Sequence, residues 1–282
     1  MKLRIYAEGP GFKDNSELEA VIDLLKGYEV GLHYCLKRSA NTHDVHVSVH
    51  YPKLRLNYAG PGSIDISLAI DVVAAIAPLA PQIFGYSWRL FKAAFDLVSI
   101  ATQYFKKKGK PIMIHIENSP GTEVNIVNGD QVKTHRDVFD SALNIHKMLE
   151  KIAALIKGHK AERIIMEADH PEPQIRIQFD QSNQDDFLLP STDTIDETPV
   201  EFECNIYHFN KRTLNGWLEY YDEEELQRRQ FAASENILEA CLDCFRAPRV
   251  IATAHREMEV NALGETKVKK FHLVAVSLIP AK

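Results

Sequence analysis

The sequence predicts an α+β protein with two folded regions, and three observations lead there. Alternating apolar residues recur along much of the chain, without the regular helix–strand alternation that would build a parallel sheet. One long apolar stretch, from Ala69 to Phe105, is broken only by Asp71, Arg89, Lys92 and Asp96. An acidic segment without Lys or Arg, 181–199, then separates this region from a second, strand-rich one. The expected domains are 1–180, a mixed sheet with a central pair of long apolar helices, then 181–199, an acidic linker, and 200–282, a small OB-like β-barrel.

Each element has its own signal. Leu3–Ala7 alternates as a strand and stops at Gly9-Pro10-Gly11. Ser16 and Glu19 form a capping-box pattern that opens a helix, with apolar residues at helical spacing as far as Lys37. Val45, Val47 and Val49 alternate with polar residues as one strand, and Leu54, Leu56 and Tyr58 as another. Ser63–Leu68 is a third short alternating run. In the apolar stretch, Pro78 and Pro81 divide the helix into two pieces, because each removes a donor and clashes with the preceding turn. Phe84, Trp88, Phe91 and Phe95 on the second piece are the interface candidates, since so much apolar surface exceeds what one small domain hides. Beyond Lys108 come a strand at Ile112–Ile116 and a hairpin closed by Asn128-Gly129. A helix from Val138 to Lys157 is expected with Asp137 as its cap and Gly158 as its stop. Arg163–Glu167 and Gln174–Phe179 complete the region as strands.

The second region has the clearest topology. Val200–Phe209, Thr213–Tyr221 and Arg228–Ala233 read as strands, Glu235–Phe245 as a helix, and Val250–Val260 and Val268–Ile279 as two further strands. The order β-β-β-α-β-β is that of the five-stranded OB barrel. His208, Lys211, Arg212, Trp217 and Tyr220 fall where such barrels carry stacking and phosphate-contacting groups, and they are the nucleic-acid-binding candidates.

The chemistry-bearing motifs are mostly absent. No Walker loop, GxGxxG, GxSxG or HExxH occurs. Cys241 and Cys244 form a CxxC, but in mid-helix on the apolar side, which points to packing rather than to metal or redox work. Thr134-His135-Arg136-Asp137 has the look of a kinase catalytic loop without its Asn, its glycine-rich loop or its Asp-Phe-Gly. Arg38 and His43 have the spacing of some helical ribonucleases, yet Ser39, Asn41 and Thr42 between them predict an exposed loop. Glu265-Thr266-Lys267 ends like a metal-dependent nuclease core but has no Asp on the preceding strand. His46 and His50 share a strand face without a third ligand. No catalytic residue, metal site or cofactor is therefore expected.

The run Gly62-Ser63-Ile64-Asp65-Ile66, the turn Glu117-Asn118-Ser119-Pro120-Gly121 and the tail Glu257-Met258-Glu259-Val260-Asn261 resemble a family of bacterial hypothetical proteins found in part on mobile elements and in phage defence. The resemblance implies no activity and supplies no site residues.

With 282 residues, 45% of them hydrophobic, the chain can bury two cores, and a net charge of −6 gives no global basic field for nucleic acid or an anionic membrane. The charge-free run Val72–Trp88 falls short of the roughly 20 residues a spanning helix needs. Its flanking charges also oppose insertion in lipid. The first residues alternate like a strand rather than an export signal, and unpatterned cysteines suit a reducing cytoplasm. The expectation is a cytoplasmic, non-enzymatic binding or assembly protein, an accessory component of an anti-phage or mobile-element system, with a homo-oligomeric or other protein partner. Two alternatives stand beside it: nucleic-acid binding through the barrel, and membrane action through the 69–105 helices.

Overall fold

The computed structural model describes residues 2–10, 31–43, 53–60, 63–69, 80–168, 175–222, 224–245 and 247–279. The expected capping box at Ser16, the strand Val45–Val49 with His46 and His50, and the first apolar helical piece over 70–79 lie outside them. The chain divides into two compact units, Met1–Pro190 and Ser191–Lys282.

The first unit is built on a five-stranded antiparallel sheet. Its strands are β1 (Lys2–Glu8), β2 (Lys53–Gly60), β3 (Ser63–Ala69), β7 (Arg163–Ala168) and β8 (Arg176–Asp180), in the order β2-β3-β1-β7-β8. A smaller sheet holds β4 (Met113–Glu117), β5 (Val124–Val127) and β6 (Gln131–His135) in the order β4-β6-β5. Its β5–β6 hairpin closes at Asn128 (φ 53°) and Gly129 (φ 75°), as the dipeptide predicts. Helix α1 covers 31–42 among the described residues, and Leu32, Cys35, Leu36, Ser39 and Ala40 give it one buried stripe. The loop expected over Arg38–Thr42 is therefore the end of a helix, because the 3.6-residue apolar period outweighs the weak propensity of Ser, Asn and Thr.

Helix α2 (Ala80–Lys108) is the second of the two expected apolar pieces. Pro81 lies in its first turn, where a missing N–H costs nothing, so the second expected piece begins at the proline. The helix is amphipathic: Arg89 and Gln103 are exposed, and Lys92 pairs with Asp96 at 2.5 Å. Among the described residues no helix is long and apolar enough to cross a membrane. Phe84, Trp88, Phe91 and Phe95 are between 0 and 8% exposed. Trp88 stacks on Phe91, with ring centroids 5.4 Å apart, and donates its indole N–H to the Ile175 carbonyl. Phe95 meets Phe179 of β8 and Phe187. These four residues belong to the buried core of the first unit. Helix α3 (Arg136–Lys157) buries Val138, Ala142, Ile145, Leu149, Ile152 and Ile156. Its N-cap is His135, so Asp137 sits inside the first turn rather than capping it.

The 181–199 stretch carries regular structure on both sides of the unit boundary, with many of its residues exposed. Gln184–Phe187 makes a 3-10 turn that buries Phe187 in the first unit. Ser191–Ile195 is strand β9, paired with the second unit. Three of the acids that suggested solvation have partners: Asp186 accepts from Gln103, Asp193 from Lys269 and Asp196 from Arg256.

The second unit is a closed five-stranded barrel. Its strands are β10 (Val200–Asn210), β11 (Asn215–Asp222), β12 (Glu225–Ala233), β13 (Val250–Asn261) and β14 (Thr266–Leu278). They run β10-β11-β12-β14-β13, and β13 closes on β10. Only β12–β14 is parallel, which requires a crossover, and the chain makes it through helix α4 (Leu238–Cys244) and β13. This order is compatible with an OB-like barrel. The interior holds Ile206, Leu218, Tyr220, Phe231, Phe271 and Leu273, with Cys241 and Cys244 of α4 packed against it.

Candidate ligand-binding face of the C-terminal barrel

Strand β11 sets the site by strict alternation. Gly216, Leu218 and Tyr220 are buried, whereas Trp217 and Tyr221 are 39% and 67% exposed, with Glu219 half-buried between them. Register extends this outer row onto the neighbours: Trp217 opposes His208 of β10 and Gln230 of β12, Glu219 opposes Arg228, and Tyr221 opposes Leu226.

On β10 a bulge between Ile206 and His208 breaks the alternation. The extra residue leaves Tyr207 and His208 both exposed and returns Phe209 to the barrel, where it stacks on Phe231 at 5.7 Å. Gly216 makes this bend feasible. A Cβ there would collide with the His208 carbonyl and the Phe231 ring, 2.5 Å from its nearest ring atoms. Tyr207 lies under the Arg228 guanidinium, 5.8 Å from the ring centroid, and Arg228 also pairs with Glu219 at 2.8 Å.

Tyr207, Trp217 and Tyr221 thus expose three aromatic rings on β10 and β11, with Leu226 and Arg228 of β12 beside them. The two ends of the face differ in charge. At the Trp217 end, the β10–β11 turn presents Lys211 and Arg212, both exposed and without an ion pair among the described residues. Asn210 Oδ1 accepts from the Arg212 and Thr213 amides at 3.0 and 3.2 Å and fixes that turn. At the Tyr221 end lie exposed Glu224 and Glu225, together with a groove of about 360 Å³. Phe202, Asn205, Tyr221 and Leu226 line this groove, with Glu203 and Arg249 paired at 3.6 Å on its edge.

Of the five candidates read from the sequence, His208, Lys211, Arg212 and Trp217 are exposed on this face or its turn. Tyr220 is not. It is 8% exposed, meets Phe271 edge-on at 5.2 Å, and burial raises its phenol pKa. Tyr207 and Arg228 were missed. The bulge that exposes Tyr207 together with His208 comes from cross-strand register and leaves no mark in β10 itself. Arg228 could have been found from β12, whose hairpin register with β11 places it opposite Glu219.

The arrangement suits planar ligands. Exposed rings stack on bases or sugars, and the flanking cations can meet phosphate. Among the described residues no cluster of His, Cys, Asp and Glu could hold a metal ion. Compared with protein-family models, curated proteins and solved structures, the chain matches none.

Proposed function

We propose that the C-terminal barrel is an OB-like module that binds single-stranded nucleic acid on the face of β10, β11 and β12. The observation that carries this reading is the joint exposure of Tyr207, Trp217 and Tyr221 on one side of a closed barrel. Isolated surface aromatics need no explanation, but three on one face do. Successive bases would stack on these rings, each worth about 1–3 kcal/mol. Lys211 and Arg212 would contact phosphates, and Arg228 would stack or pair beside Tyr207. Such a module has no need of a catalytic group. It would act as a non-enzymatic accessory component.

The protein's net charge of −6 shapes the expected behaviour. Affinity should come mainly from stacking, so salt should weaken binding only by the few phosphate contacts made. Fluorescence anisotropy of a labelled oligothymidylate and of a mixed-sequence RNA, with the Trp217→Ala variant as control, tests the proposal. Saturable binding that Trp217→Ala weakens supports it. Absence of binding to either strand, or unchanged affinity in the variant, refutes it.

A further inference from the structure

Three stretches that look unrelated in the sequence meet at one place in the first unit: the end of α1, the turn after β4 and the start of α3. Asp137 lies at the centre, with 6% of its surface exposed. Arg38 donates its Nε–H to Asp137 Oδ1 at 2.6 Å and also pairs with Asp140 at 3.3 Å. Tyr86 of α2 donates to Asp137 Oδ2 at 2.9 Å and accepts from the Gly121 amide at 3.0 Å. Burial and Asp137 push the Tyr86 phenol up to about 12, so this hydroxyl remains a donor at neutral pH. His43 has its Nδ1 on the Ser39 carbonyl and its ring edge-on to Tyr86, and His135 turns to Ser119. The buried carboxylate is thus fully occupied, and its charge is met by Arg38.

Above this floor is an open surface cleft of about 250 Å³, and Asn41, Asn118, Ser119 and Arg136 on its rim are exposed. Arg38, Asn41, Asn118, Ser119, Arg136 and Asp137 are among the residues that line it. Arg136, Asn41 and Asn118 come from three different elements, and none of them has an ion pair or side-chain hydrogen bond among the described residues. The lining therefore sets one guanidinium held by Asp137 and Asp140, and a second, that of Arg136, without an ion pair among the described residues, beside two amides and the hydroxyls of Thr42 and Ser119. That is an excess of donors around a space too small for a drug-sized ligand. Phosphate, with several acceptor oxygens and a geometry matched by guanidinium forks, fits such a lining better than a neutral or cationic ligand does.

We propose that this cleft binds a phosphate group, carried by a phosphate monoester, through Arg38, Arg136, Asn41, Asn118 and Ser119. Arg38 is positioned by Asp137 and Asp140, whereas Arg136 is free to close on the ligand. The site lies wholly within the first unit, so it stands independently of the barrel reading.

Isothermal titration calorimetry of the full chain with inorganic phosphate, adenosine monophosphate and adenosine tests this. The expected result is saturable binding of the monophosphate and none of adenosine. Binding should weaken at least about tenfold in Arg136→Gln, the loss of one charge-assisted contact. Because Arg136 holds no other group, the variant's melting temperature should match the wild type's. Binding of inorganic phosphate as well would assign the site to the phosphate group alone, and its absence would assign it to the ester. Trp217→Ala, placed on the barrel, should leave the titration unchanged. No saturable binding at millimolar ligand, or equal binding by Arg136→Gln and Asn118→Ala, overturns the proposal.

Discussion

Tyr220 and Tyr221 are chemically identical neighbours on β11, and the fold assigns them opposite work. Tyr220 is 8% exposed and packs between Phe202 and Phe271, at ring distances of 5.7 and 5.2 Å. Truncating it to alanine removes a buried ring and its aromatic contacts, a loss of about 3–5 kcal/mol on the scale of large-to-small aromatic changes. That is comparable to the whole stability of a small domain, about 5–15 kcal/mol. Tyr221 is 67% exposed on the outer face. Tyr221→Ala should change stability by no more than about 0.5 kcal/mol. If its ring stacks on a base, the same change should weaken oligonucleotide binding by about 1–3 kcal/mol, roughly 5- to 150-fold. Urea unfolding followed by circular dichroism gives the first quantity and fluorescence anisotropy the second. A stable Tyr220→Ala with an unfolded Tyr221→Ala would reverse the inside and outside of β11. Two variants that fold and bind like the wild type would remove stacking on Tyr221 from the mechanism.

Two further outcomes follow from the packing. Gly216→Val drives a side chain into the His208 carbonyl and the Phe231 ring. It should destabilise the second unit by at least about 1–3 kcal/mol in urea unfolding, and an unchanged midpoint would mean that the β10 bulge tolerates a Cβ. Cys35 has no exposed surface, and burial pushes its thiol from 9.0 up to about 12. A raised acid pKa favours the protonated folded state, so this contribution is complete below about pH 9 and is lost progressively as pH rises towards 12. Stability of the first unit should therefore fall across that window, and Cys35→Ala should flatten the fall. An identical slope in the variant would assign the alkaline loss to other groups.

Much of the fold was legible because local rules and tertiary packing agree. The Asn128-Gly129 dipeptide predicts its hairpin because few residues other than Asn and Gly accept two consecutive positive φ angles. The strand order and crossover of the barrel follow from period-2 runs with one helical interval. The apolar period of 31–42 was readable too, but turn-forming residues near its end suggested a loop, and helical packing overrode them.

The remaining features were decided only by the tertiary structure, since each depends on a partner distant in the chain. An apolar stripe looks the same whether it faces a core or a second molecule, and the packing against Phe179 and Phe187 put Phe95 in the core. Acidic residues look like solvent until their cations are located, as Asp196 shows with Arg256 at 2.6 Å. The outward turn of Tyr207 depends on a bulge, which is a property of two strands in register. The Asp137 cleft joins residues nearly a hundred positions apart, from Arg38 to Arg136. Periodicity reports one element's own geometry. It carries no term for what that element will meet.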